Sequence, residues 1–242
     1  MGDGKAVLVV GAGDATGGAI ARRFAREGMI ACVTRRHPEK LEPLVERIRG
    51  EGGEAYAFGS DARKEEQVVD LVSRIEREIA PIEVLVFNIG ANVRFGITET
   101  TSRVYHKVWE MGCFAGFLNG REVAKVMLPR SRGTILFTGA TASLRGADGY
   151  AAFSGAKHAL RALAQSMARE LGPQGIHVAH VVIDGAIDTA FIRDLFPQRY
   201  ALKERDGILD PEAIAESYWQ LHQQPRNAWT HELDLRPWIE EW

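Results

Sequence analysis

"KAVLVVGAGDATGGAIARRFAREG" (5–28) decides the architecture. Its opening, KAVLVVG (5–11), is a continuous apolar run, as expected of a strand covered on both faces. Gly11, Gly13, Gly17 and Gly18 follow at a turn. From 17 to 28 the apolar residues return at helical spacing and stop at Gly28, a suitable C-cap. A strand that passes through glycines into a helix opens a βαβ unit.

The alternation continues outward. Strands are predicted at IACVT (30–34), EAYAFGS (54–60), IEVLVFNIG (82–90), GTILFTG (133–139) and IHVAHVVI (176–183). Helices are predicted at 38–53, 64–79, 102–128, 150–171 and 211–224. WTHELDLRPW (229–238) alternates like a last edge strand. Strands that alternate with helices imply right-handed crossovers and an α/β fold: a doubly wound parallel sheet in three α/β/α layers. The whole chain, 1–242, reads as one nucleotide-binding domain, with a lid near 190–207 and a tail at 225–242. Ligands of such sheets bind beyond the carboxyl ends of the strands, where strand order reverses.

The bulk properties narrow the function classes. The chain has 242 residues, 30 basic and 32 acidic, for a net charge of −2. No basic tract points to nucleic acid, and no apolar run is long enough for a membrane span. The segment before the first strand lacks the form of a signal peptide. Cys32 and Cys113 read as two buried thiols, and the seven histidines form no ligand spacing. A cytoplasmic setting is expected, with a small molecule as substrate.

The glycine turn suits a phosphate. Glycines let backbone N–H groups approach closely, and the following helix N-terminus adds favourable partial charge. The spacing from Gly11 to Gly17 is G-x-x-x-A-x-G, with Thr16 just before the last glycine. A turn that only packs helix on strand has the same glycines. The second strand ends at Thr34, where an acid for a ribose hydroxyl would suit NAD, and continues into Arg35 and Arg36. Paired arginines suit a 2′-phosphate, hence NADP over NAD, although Asp14 nearby would oppose it. A solvated arginine pair is the other reading.

Four segments in order resemble the short-chain dehydrogenase/reductase family, a set of Rossmann-fold NAD(P)-dependent oxidoreductases. VGAGDATG (10–17) is similar to its TGxxxGxG turn. SDA (60–62) resembles the acid that contacts adenine, which carries over to Asp61. FNIG (87–90) is similar to NNAG, matching at Asn88 and Gly90 and departing at Phe87 and Ile89. IDGAIDT (183–189) resembles P-G-x-x-x-T, with Asp184 for proline and Thr189 near the nicotinamide. The resemblance implies NAD(P) binding and a homodimer or homotetramer built through helices 102–128 and 150–171.

The family's catalytic Asn, Ser, Tyr and Lys are kept only in part. Lys157 matches the lysine, but Phe153 stands at the tyrosine, Ala140 at the serine and Gly112 at the asparagine. Tyr150 shares a helical face with Phe153 and Lys157, so it is one candidate substitute donor. Ser143, with Thr141, is another. Each has a plain alternative as a loop or core group. The resemblance therefore implies an oxidoreductase of altered chemistry acting on a carbonyl, an alcohol or an activated double bond. A non-catalytic NAD(P) binder, a sensor or partner subunit, is the alternative.

Overall fold

A computed structural model describes residues 4–240. Seven parallel strands run in the order β3-β2-β1-β4-β5-β6-β7. They are β1 Ala6–Val10, β2 Ile30–Arg35, β3 Ala55–Gly59, β4 Ile82–Phe87, β5 Gly133–Thr138, β6 Ile176–Ile183 and β7 Glu232–Leu235. The helices are α1 Thr16–Arg26, α2 Glu42–Gly50, α3 Glu65–Glu78, α4 Ser102–Trp109, α5 Ala115–Met127, α6 Ala151–Leu171, α7 Ala190–Leu195, α8 Pro197–Tyr200 and α9 Pro211–Gln223. The predicted Rossmann-type α/β architecture is the observed one.

The apolar strands feed two cores because alternate side chains face opposite layers. From β1, Val7 and Val9 pack with Ile20 and Phe24 of α1 and with Tyr218 of α9. Leu8 and Val10 pack on the other face with Phe87, Phe137 and Leu160. Strand order reverses between β1 and β4, which lie side by side at the centre. The crevice beyond their carboxyl ends is where the site forms.

Three elements differ from expectation. The stretch predicted as one helix over 102–128 is interrupted by a π-turn at Glu110–Phe114. There Gly112 packs on α6, and a Cβ on it would lie 3.0 Å from the Ala156 Cβ. The predicted 38–53 helix begins as a 3₁₀ turn over Pro38–Leu41, with Pro38 and Pro43 each at a first-turn position. The edge strand is four residues, not ten: Pro237 ends it, and the tail's last two residues lie outside the described ones. The segment expected as a lid folds as two short helices and a 3₁₀ turn at Ala201–Arg205. Among the described residues no helix is long and apolar enough to cross a membrane.

Candidate active site

The glycine turn is shaped by two collisions it avoids. Gly11 has φ 85°, and a Cβ there would sit 2.9 Å from the Asn88 carbonyl oxygen. A Cβ on Gly17 would sit 2.7 Å from the Gly11 carbonyl oxygen. These glycines serve packing. Gly13 and Gly90 differ, since a Cβ on either meets no protein atom within 4 Å, and both residues line the crevice. The Asn88 side-chain amide donates to the Gly11 carbonyl at 3.2 Å and ties the end of β4 to the turn after β1. Thr16 is buried at the first position of α1 and also lines the crevice.

The crevice has two parts that meet over Gly11, Gly13, Asn88 and Gly90. The smaller, about 320 Å³, lies beyond β1, β2 and β3. Arg35, Arg36, Asp61 and Arg63 line it. Asp61 is gripped by Arg63, with Nε and Nη2 donating to its two oxygens at 2.9 and 2.6 Å. That ion pair holds the Asp61 carboxyl below the usual carboxylate range. Asp14, which counted against a 2′-phosphate on the sequence, lines the other part of the crevice and not this one. Thr34 is buried beside Arg35, and its hydroxyl has no protein partner.

The larger part, about 830 Å³, lies beyond β4, β5 and β6. Lys157 is at its floor, 2% exposed. Its Nζ donates to the Thr138 carbonyl at 2.8 Å and the Ile89 carbonyl at 3.1 Å, bridging the ends of β5 and β4. Burial pushes its pKa down to about 8, because no carboxylate compensates the lost hydration. Phe153, one turn earlier on α6, is buried against the same cavity, its ring centroid 6.0 Å from Nζ.

The structure does not bring every expected residue into this cavity. Ser143 is fully buried, and its Oγ accepts from the Ala140 N–H at 3.1 Å, so it closes a 3₁₀ turn. It does not line the cavity. Thr189 does not line it either: its hydroxyl caps α7 by accepting from the Ile192 N–H at 3.1 Å. Tyr150 lines the cavity at the first residue before α6, beneath the Arg94 guanidinium. The hydroxyls near the serine position are engaged. Thr138 is bonded to Tyr218 at 2.7 Å on the far side of the sheet. Thr141 donates to Asp184 at 2.5 Å. Ala140 lines the cavity. Phe87, the departure in FNIG, is core, its ring tilted against Phe137 with centroids 6.2 Å apart.

Arg94 and Arg145 line the cavity and were not singled out on the sequence. Nothing local marks a loop arginine as facing inward. Within 190–207, Arg193 pairs with Asp194 at 2.8 Å, while Arg199 lines the cavity beside Glu240.

Comparison with known proteins agrees with this geometry. The family model described as short chain dehydrogenase matches residues 5–199. The chain belongs to the short-chain dehydrogenase family. A solved short-chain dehydrogenase from Rhodopseudomonas palustris is 49% identical, with TM-score 0.83, covering 97% of this chain and 99% of that one. A 2,3-dihydro-2,3-dihydroxybenzoate dehydrogenase of Bacillus subtilis (strain 168) is 30% identical over 77% of this chain and 71% of its own. The gluconate 5-dehydrogenase of Gluconobacter oxydans (strain 621H) is 29% identical over 93% and 82%. The solved structure of a variant actinorhodin polyketide ketoreductase with NADPH is 25% identical, with TM-score 0.87 and 97% of each chain covered.

Proposed function

We propose that this protein is an oxidoreductase that uses NADP, or less well NAD, on a small carbonyl, alcohol or activated double bond, by chemistry that does without the tyrosine. One observation carries the reading. Gly13 and Gly90 leave open space in the same crevice that has a buried lysine ammonium at its floor. These residues fit a dinucleotide. The turn at Gly11–Gly17 and Thr16 would hold the pyrophosphate, Asp61 and Arg63 the adenosine, and Lys157 with Asn88 the nicotinamide ribose. Arg35 and Arg36 support NADP, since the acid in their pocket, Asp61, is already neutralised by Arg63. The cofactor, when bound, supplies or takes up a hydride.

The protein's own part follows from what the cavity offers. Phe153 gives an apolar wall where a hydroxyl would stand, so it keeps water away but supplies no proton. The Lys157 Nζ spends two of its three donor positions on carbonyls and keeps one. Its lowered pKa lets it hold or release a proton near neutral pH. Substrates whose acceptor atom needs little proton help suit this site best. Two of the relatives above are named for carboxylate substrates, which makes an acid a fitting class to test.

The non-catalytic binder remains a second reading, favoured by the internal engagement of Thr138, Thr141 and Ser143. We further propose a homodimer or homotetramer, supported by Tyr105, Trp109 and Phe117, which stand exposed along the 102–127 helices.

Fluorescence titration with NADPH and NADH tests the cofactor. NADPH is expected to bind the more tightly, and Arg35→Ala to cost it about tenfold or more with NADH unchanged. No binding of either at millimolar levels would sink both readings. Turnover with any carbonyl or enone then separates enzyme from binder.

A further inference from the structure

Arg94 is held over the cavity by an arrangement that its charge does not explain. The loop after β4 is joined to the loop before α6 by a hydrogen bond from the Phe95 N–H to the Gly149 carbonyl, 2.9 Å. Gly149 has φ 77°, and a Cβ there would lie 2.8 Å from the Arg94 Cγ and 3.1 Å from its Nε. The arginine stem therefore crosses residue 149 only because that residue is glycine. Beyond it the guanidinium carbon lies 6.0 Å above the Tyr150 ring centroid, at cation–π range. Its carboxylate partner, Asp148 at 3.2 Å, has a side chain 96% exposed. Such exposed pairs contribute little and do not fix an arginine in place.

Arg145 lines the same wall and is also poorly matched. Its Nη2 lies 3.9 Å from an Asp184 oxygen, beyond hydrogen-bond range. That oxygen already accepts from Thr141, and Arg236 faces the other one at 3.6 Å. The third arginine of the cavity, Arg199, is balanced by both Glu240 oxygens at 3.0 Å. Arg94 and Arg145 are thus the least tightly paired arginines of the cavity, whose lining also includes Asp14. The lid presents Phe191 and Phe196, 56% and 49% exposed, their rings 5.9 Å apart. Two cations and two open aromatic rings on one cavity describe an amphipathic anion.

We infer that the substrate is a small organic carboxylate, its acid group held by Arg94 and Arg145 and its apolar body by Phe191 and Phe196. This rests on the reading of the cavity as the substrate site. Guanidinium groups bind carboxylates in a planar, paired geometry, which a second arginine can complete. Tyr150, set under Arg94, is then a positioning residue and not a proton donor.

The test is calorimetric titration of the full chain with 2-naphthoate and, separately, with 2-naphthamide, each with and without saturating NADP⁺. The two probes share a shape and differ in charge. The acid is expected to bind about tenfold or more tightly than the amide. Arg94→Gln and Arg145→Gln should each remove most of that preference. Gly149→Ala, which displaces Arg94 without removing a charge, should weaken it too. Equal binding of the probes, binding of neither, or a preference that survives both arginine substitutions would overturn the inference. NADPH fluorescence on the same samples keeps the two readings apart. Acid preference without NADPH binding leaves the anion site standing and fails the oxidoreductase. NADPH binding without acid preference does the reverse.

Discussion

At the cofactor end of the crevice, beyond β1, β2 and β3, the polar groups face one another in pairs around open space: Arg63 grips Asp61 and Asn88 braces Gly11. At the reacting end, beyond β4, β5 and β6, the hydroxyls that could face a substrate turn away into the protein, and Phe153 and Ala140 face it instead. The two ends share Gly11, Gly13, Asn88 and Gly90 but follow different rules. One end has the geometry for holding a ligand. The other has a lysine with a titratable proton and an apolar ring, Phe153, one helical turn before it. Binding and proton delivery are therefore separable properties of this fold.

The sharpest way to break that contrast is to restore the hydroxyl. Phe153→Tyr is expected to gain carbonyl reduction by about 10²-fold or more, the range of positioned acid–base catalysis. NADPH affinity should stay the same. A variant that binds NADPH yet shows no gain with any carbonyl would show that the reacting end lacks more than a proton.

Next comes the cofactor end. A Cβ on Gly13 meets nothing in the protein, whereas one on Gly17 meets backbone at 2.7 Å. Gly13→Ala should leave the melting temperature unchanged and weaken NADPH about tenfold or more. Gly17→Ala should lower stability by about 1–3 kcal/mol, the usual cost of overpacking. If the two variants behave alike in both assays, the division between packing and binding glycines is wrong.

The smallest effect lies outside the crevice and shows how burial acts where no ligand is involved. His222 is half-buried against α1 with Thr134 2.9 Å from its Nδ1, and desolvation pushes its pKa down to about 4. The unfolded chain takes up that proton near pH 6.5 and the folded one only near 4. Its contribution to stability is thus present above about 6.5 and is lost as pH falls toward 4, by up to about 1.4 kcal/mol per pH unit. His180 titrates in the same direction. In thermal melts across this window, the deficit of His222→Gln relative to wild type should shrink as pH falls. A deficit that does not change with pH would remove the histidine from the account.

The same contrast explains what could be read from the residues alone. The strand–glycine–helix stretch at 5–28 and the later alternations carry periodicity, a local property, so the doubly wound sheet was legible. So were Gly11, Asn88, Asp61 and Lys157, which lie on strand ends or a helix of fixed register. The π-turn at Glu110–Phe114 was not legible, because the contact between Gly112 and Ala156 that accompanies it joins two helices. Thr189 stands in a motif position and Ser143 three residues from one, yet each hydroxyl accepts from a backbone N–H three residues away, in a cap and a turn. Arg94 and Arg145 gain their meaning only when two loops, separated by some fifty residues, are laid side by side.

The tail has a practical consequence for anyone handling this protein. After β7 the chain turns back over the lid: the Trp238 indole donates to the Arg205 carbonyl at 3.0 Å, and Glu240 holds Arg199 at the cavity rim. Anything fused beyond residue 240, such as a purification tag or a fluorescent reporter, departs from the mouth of the cavity and competes with what enters it. A fusion ahead of β1 leaves from the amino ends of the strands, opposite the crevice.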